Sequence, residues 1–125
     1  MIAFHALTIV QTFKDRQCEA CSFTFLILLL SFGVSATEES PTGLIKRIQA
    51  YSVHGDIFIS METNGQQCST GYYIDKVSPG YESILSMLLA AYQANTPISI
   101  FAYEDQRWSG TTAPVCKIFS VVYAR

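Results

Sequence analysis

Short strand-like runs on both sides of a single amphipathic helix predict a mainly β domain, ordered as three strands, a helix and two strands. Three observations carry this. Within Ser78–Asn95 the apolar residues Tyr81, Ile84, Leu85, Leu88, Leu89 and Tyr92 recur at i, i+3, i+4, i+7, i+8 and i+11, one face of a helix. Around it, Ile57-Phe-Ile-Ser-Met61 and Ile98-Ser-Ile-Phe-Ala102 alternate with the period of a pleated strand. Two cysteines, Cys68 and Cys116, stand beyond the N-terminal leader.

The helix carries its own punctuation. Ser78 can accept from the free N–H groups of a first turn, and Pro79 suits the first helical position. Asn95 tolerates the left-handed turn that ends a helix, and Pro97 forbids continuation. The opposite face is a strip of mostly small residues, Glu82, Ser83, Ser86, Ala90 and Gln93. Such a strip suits a surface helix with short side chains, and equally the close approach of a helix from another subunit.

The strands follow in order. Thr37–Gly43 is a polar entry segment, and Leu44 to Val53 reads as the first strand. His54-Gly-Asp56 turns the chain into a second strand from Ile57. Asn64-Gly65 marks another tight turn, and Cys68 opens a third strand ending near Val77. Ile98 to Tyr103 is the fourth strand, Glu104 to Pro114 a polar loop, and Val115 to Tyr123 the fifth strand. This is the element order of an OB-fold, a five-stranded barrel with one helix between its third and fourth strands.

The N-terminal part reads as a targeting segment. Phe23–Phe32 is an apolar run too short to span a bilayer comfortably, with Lys14 and Arg16 before it and Gly33-Val-Ser-Ala36 after it. Residues 1–36 are therefore expected to be a secretory signal peptide cleaved after Ala36, and residues 37–125 the mature domain, secreted through the periplasm. An uncleaved anchor is the alternative. Cys18 and Cys21 have a C-x-x-C spacing but precede the apolar run without a second ligand pair, so they are expected to leave with the leader. Export places Cys68 and Cys116 in an oxidising compartment, where a disulfide is expected. The third and fifth strands of an OB-fold can pair, which brings the two cysteines together.

Composition narrows the function classes. The 125-residue chain has a net charge of −2, with none of the basic excess that nucleic acid attracts. Beyond the leader the single histidine, His54, lies in a turn beside Asp56, and turn residues of this kind are usually structural. No spacing of carboxylates calls for paired acid–base work. No cysteine–histidine cluster calls for a metal, and no glycine-rich loop calls for phosphate. Neither catalysis nor a cofactor is expected. Binding is better supported, because Tyr51, Tyr72, Tyr73, Tyr103, Trp108 and Tyr123 supply aromatic faces of the kind on which sugars stack. Most of these read as core or interface. Tyr103 and Trp108 stand evenly between core and ligand, since they flank a loop carrying Arg107, Ser109, Thr111 and Thr112.

The segment Tyr81-Glu-Ser-Ile-Leu-Ser-Met-Leu-Leu-Ala-Ala-Tyr-Gln-Ala-Asn-Thr-Pro-Ile-Ser-Ile-Phe-Ala-Tyr-Glu-Asp105 resembles the helix-to-strand segment of the small binding subunits of pertussis-like toxins. It is also similar to the binding subunit of subtilase cytotoxin. The resemblance implies an OB-fold subunit in a ring of five, with its helices lining a pore. It implies an enzymatic A subunit, an ADP-ribosyltransferase or a protease, docked on the ring, and host glycans, often ending in sialic acid, as receptors. In subtilase-type relatives a Ser near the first strand and a Tyr after the Pro-initiated strand contact the sugar. Thr42, followed by Gly43, and Tyr103, before Glu104, best match them. The second disulfide of those relatives has no counterpart here. The competing expectation is a monomeric secreted or periplasmic adaptor or inhibitor that binds one protein.

Overall fold

The computed structural model describes residues 34–123 and residue 125. The apolar run of the leader and the Cys18–Cys21 pair lie outside the described residues. Six strands and one helix make up the domain: β1 Thr37–Glu39, β2 Ile45–Ala50, β3 Ile57–Met61, β4 Gly71–Ile74, α1 Tyr81–Ala94, β5 Ser99–Arg107 and β6 Val115–Val122. They form one mixed sheet in the order β1-β5-β6-β4-β3-β2. All neighbours are antiparallel except β4 and β6, which run parallel with Tyr72 opposite Cys116. The third and fifth of the expected strands therefore do pair. No helix among the described residues is long and apolar enough to cross a membrane.

The expected count of five strands is corrected to six, in a sheet that is not closed. The additional strand comes from the segment read as a polar entry. Thr37, Glu38 and Glu39 pair antiparallel with Tyr103, Ala102 and Phe101. Polar groups hold it where apolar alternation would normally do so. The Glu38 carboxylate accepts from the backbone N–H groups of Gln67 and Cys68, each at 3.0 Å. Just beyond β1, the buried Ser40 donates its N–H to the Ile100 carbonyl at 2.8 Å and accepts the Ile100 N–H on its hydroxyl at 2.9 Å. The chain then bends, and Gly43 forms an isolated bridge with Ile98 before β2 begins.

Three further boundaries move. The fourth expected strand continues as β5 through Glu104–Arg107, where the sequence predicts loop, because the Glu104 N–H finds the Ala36 carbonyl at 3.1 Å. The third strand starts at Gly71 instead of Cys68. Gly71 has φ 147°, and a Cβ there would lie 2.5 Å from the Ile59 carbonyl oxygen, so only glycine fits this entry to the strand. The expected tight turn at Asn64-Gly65 is instead part of a longer loop. The Asn64 side chain ties it by accepting the Met61 N–H at 2.9 Å and donating to the Ser69 carbonyl at 3.1 Å.

The helix starts at Tyr81, after Gly80, and has no side-chain cap. Ser78 lies in the preceding turn, where its N–H reaches the Asp75 carbonyl at 3.0 Å and its hydroxyl is buried without a partner among the described residues. The capping role expected of Ser78 is thus not filled. The end is as expected: Asn95 adopts φ 50°, and its N–H bonds to the Ala91 carbonyl. The buried stripe runs through Tyr81, Leu88 and Ala91, with Ile84, Leu85 and Met87 packed beside it. It is rotated toward Ala91, whose small side chain lets the helix lie close to the sheet, and it leaves Leu89 and Tyr92 exposed.

The core is built from Ile59, Tyr72, Ile74, Leu88, Ile98 and Ile100 together with a Cys68–Cys116 disulfide. The two Cα atoms are 5.5 Å apart, and both cysteines are fully buried. Within this core the Tyr72 hydroxyl accepts the Gly65 N–H at 2.8 Å. Burial pushes the Tyr72 phenol above its ordinary value of 10.0. Burial, with Asp75 and Asp56 nearby, does the same to Tyr73. An acid held above its unfolded value contributes stability that is present below that value and is lost as pH rises through the folded value. The midpoint of thermal unfolding is therefore expected to stay level up to about pH 10 and to fall beyond it. In Tyr72→Phe the alkaline fall should be shallower, while at neutral pH the variant loses about 1–3 kcal/mol because the Gly65 N–H is left without its acceptor. Scans between neutral and alkaline pH check both expectations. An alkaline fall of the same steepness in Tyr72→Phe would remove Tyr72 as its cause.

Candidate binding site

The β2–β3 hairpin and the β5–β6 loop meet around Trp108. The hairpin turn is closed by the Tyr51 N–H on the Asp56 carbonyl at 2.9 Å and by the Gly55 N–H on the Tyr51 carbonyl at 3.1 Å. Gly55 takes φ 73°, a left-handed conformation suited to glycine. Its carbonyl also accepts the Tyr81 hydroxyl at 2.9 Å, which fixes the turn to the start of the helix. The turn thereby holds Asp56, almost fully buried, at the base of the cleft.

Asp56 organises the two loops. Its Oδ2 accepts the indole N–H of Trp108 at 3.0 Å, and its Oδ1 accepts the Lys76 N–H at 3.3 Å. The indole ring lies nearly parallel to Phe58 and Tyr73, with centroids 6.3 and 6.2 Å away and tilts of 30° and 29°. Phe58 and Tyr73 are direct partners across β3 and β4, so they form a two-ring platform under the tryptophan. Tyr51 leans on the indole at 5.0 Å and 59°. On the loop side Gly110 is pressed against the six-membered part of the indole, and a Cβ there would come within 2.5 Å of it. The result is an open cleft of about 270 Å³ whose walls include Tyr51, His54, Asp56, Trp108 and Ser109.

Of the residues singled out in the sequence, Trp108 belongs to this cleft, Arg107 lines an adjoining groove that shares His54, Asp56, Trp108 and Ser109 with it, and Thr42 and Tyr103 lie apart. The Arg107 Nη1 donates to the Gln67 carbonyl at 2.8 Å and lies 3.3 Å from Cys116 Sγ. Tyr103 is half-buried, edge-on to Phe119 at 5.2 Å and 67°. It lines a separate groove with Ser78, Gln106 and Lys117. Thr42 is exposed in the bend between β1 and β2. Its neighbour Gly43 faces Ile98 in an antiparallel bridge, which places Thr42 beside Ser99, roughly 13 Å along β5 from Tyr103 at about 3.3 Å per residue. The structure therefore does not bring Thr42 and Tyr103 into one cluster.

Sequence reasoning did not assign Tyr51, His54, Asp56, Ser109 or Gly110 to a binding site. From the sequence His54 and Asp56 read as structural turn residues; in the structure the Asp56 carboxylate also holds the tryptophan. The available signal was the His54-Gly-Asp56 turn in one loop and the lone tryptophan in another. Among the described residues no group of three His, Cys, Asp or Glu side chains could hold a metal. No protein-family model matches the chain, and no curated protein matches it either.

Proposed function

We propose that this protein is a non-catalytic glycan-binding subunit of a secreted AB-type toxin, which assembles as a ring of five and carries an enzymatic subunit. The observation that carries the glycan reading is the aromatic cleft at Trp108. An indole face with a fixed carboxylate and hydroxyls at its rim matches the needs of a sugar, whose C–H faces stack and whose hydroxyls require directional partners. The resemblance of Tyr81–Asp105 to pertussis-like binding subunits supplies the toxin and ring parts of the proposal. An OB-type barrel is the finer reading of the fold, supported by the parallel β4–β6 pair and by the Gly43–Ile98 bridge between the starts of the first long strand and β5.

Assembly is supported by the outer surface. Phe119 on β6 is 55% exposed, and Leu89, Tyr92, Val122 and Tyr123 are also exposed. The Tyr123 hydroxyl donates to the Met87 carbonyl, so the end of the β6 segment and the middle of the helix belong to one continuous surface. Apolar side chains grouped in this way are a common mark of a protein interface. Each glycan contact would be weak alone, and copies on one ring would raise affinity through effective concentration.

The proposal is tested by a glycan array probed with the secreted, oxidised protein and with Thr42→Ala and Tyr103→Phe. Binding to sialylated glycans, weakened by Thr42→Ala and by Tyr103→Phe as contacts outside the Trp108 cleft and without loss of assembly, is the expected outcome. Undiminished binding by both variants would remove Thr42 and Tyr103 from the site. Binding to no glycan by the assembled protein would overturn the function.

A further inference from the structure

We propose that the cleft beside Trp108 seats an uncharged pyranose and does not hold an acidic sugar. This rests on the glycan-binding reading above and names the ligand class at one site of it.

Charge is the first argument. The ionisable residues lining the cleft are Asp56 and His54, with no lysine or arginine among them. Arg107 and Arg47 line adjoining grooves that share Trp108 with the cleft, and each nearby cation is engaged outside the cleft itself. Arg107 bonds to the Gln67 carbonyl, Arg47 lies over the Phe58 ring at 5.5 Å, and the Lys76 ammonium lies over the Tyr81 ring at 4.4 Å. The Lys117 ammonium sits 3.9 Å from Asp75. A sugar carboxylate entering the cleft would meet the almost buried Asp56 carboxylate with no lining cation to pair with, and like charges in a partly desolvated site repel.

Hydrogen-bonding capacity is the second. The indole N–H is already committed to Asp56, so Trp108 offers a ligand its ring and not a donor. An ionised carboxylate has about four lone-pair sites, and the two bonds that Asp56 accepts leave capacity for the hydroxyl donors of a sugar. The Ser109 hydroxyl and the His54 imidazole stand at the rim. Size is the third. At about 270 Å³ the cleft falls just under the roughly 300–1,000 Å³ of drug-sized sites, which suits one sugar ring. A quaternary amine fits less well. Phe58 and Tyr73 stack on the indole itself, so beside the His54 imidazole at the rim Tyr51 is the one other ring lining the cleft, and the aromatic walls do not make a cage.

The chain contains a single tryptophan, so tryptophan emission reports on the surroundings of Trp108, and the cleft variants below tie a change to this cleft. The oxidised, secreted protein is titrated with methyl β-galactopyranoside, methyl α-glucopyranoside, N-acetylneuraminic acid and choline. A saturable emission change with a neutral pyranoside in the millimolar range is expected, with the acidic sugar and choline at least about tenfold weaker. Ser109→Ala and His54→Ala alter exposed side chains and should weaken the response several-fold without changing the fold. Gly110→Ala should displace the indole and shift the emission of the unliganded protein. Stronger binding of the acidic sugar or of choline overturns the proposal. So does flat emission with both neutral pyranosides in protein that is folded and oxidised. If flat emission accompanies retained binding on the glycan array, the seat is wrong and the glycan-binding function stands. If both are absent, both fall.

Discussion

Replacing Cys68 and Cys116 together by alanine is expected to lower the unfolding free energy by about 4 kcal/mol, the loop-entropy value for a crosslink spanning 48 residues. That loss is a large fraction of the roughly 5–15 kcal/mol by which domains are stable. The position of the bond adds to its importance. It joins the loop before β4 to β6 beside the parallel pair, where Thr70 also donates its N–H to the Pro114 carbonyl at 3.2 Å. The Glu38 carboxylate holds the same loop through the Gln67 and Cys68 N–H groups, so loosening Cys68 also loosens β1. Urea unfolding of the oxidised wild type and of the double variant measures the effect. A difference below about 1 kcal/mol would mean that the polar clamp and the core hold this corner without the bond.

The second large effect separates two adjacent residues on the helix. Leu88 is fully buried against the sheet, and Leu88→Ala is expected to destabilise the domain by about 2–5 kcal/mol, since the deleted methyl groups leave a cavity. Leu89 is 44% exposed, and substitutions there should change subunit stability by no more than about 0.5 kcal/mol. Leu89→Asp places a charge in the apolar surface assigned above to assembly. Leu88→Ala should therefore lower the denaturation midpoint, whereas Leu89→Asp should retain the far-ultraviolet circular dichroism of the wild type and lose its assembled mass. Retained assembly in Leu89→Asp would move the interface away from this part of the helix.

The parts of the fold legible in the sequence are those whose signals are local. Ile57–Met61 alternates and is β3, and Asn95 followed by Pro97 ends the helix where the left-handed residue is found. The cysteine pairing followed from there being two cysteines beyond the leader and from the element order. The missed pieces depend on partners distant in sequence. Thr37–Glu39 is too short and polar to alternate visibly, and it becomes a strand because β5 offers an edge and Glu38 finds the N–H groups of a loop 29 and 30 residues away. Glu104–Arg107 looks like loop and becomes strand for the same reason. At the helix start, Ser78 and Pro79 look like a cap, but Ser78 is spent in the turn closed by Asp75.

The candidate site divides the same way. Trp108 stood out as the lone tryptophan in a polar loop. Its fixing by Asp56 spans 52 residues and depends on how the hairpin folds over β3 and β4, which no local pattern announces. Arg107, the last residue of β5, is adjacent in sequence, but its guanidinium bonds to the Gln67 carbonyl.

The most direct test of the proposed assembly is the native mass of the secreted, oxidised protein by light scattering after size exclusion. A mass five times that of one chain is the expected result. A monomer at every concentration would contradict the ring and favour an adaptor or inhibitor that uses the same apolar surface for a different protein.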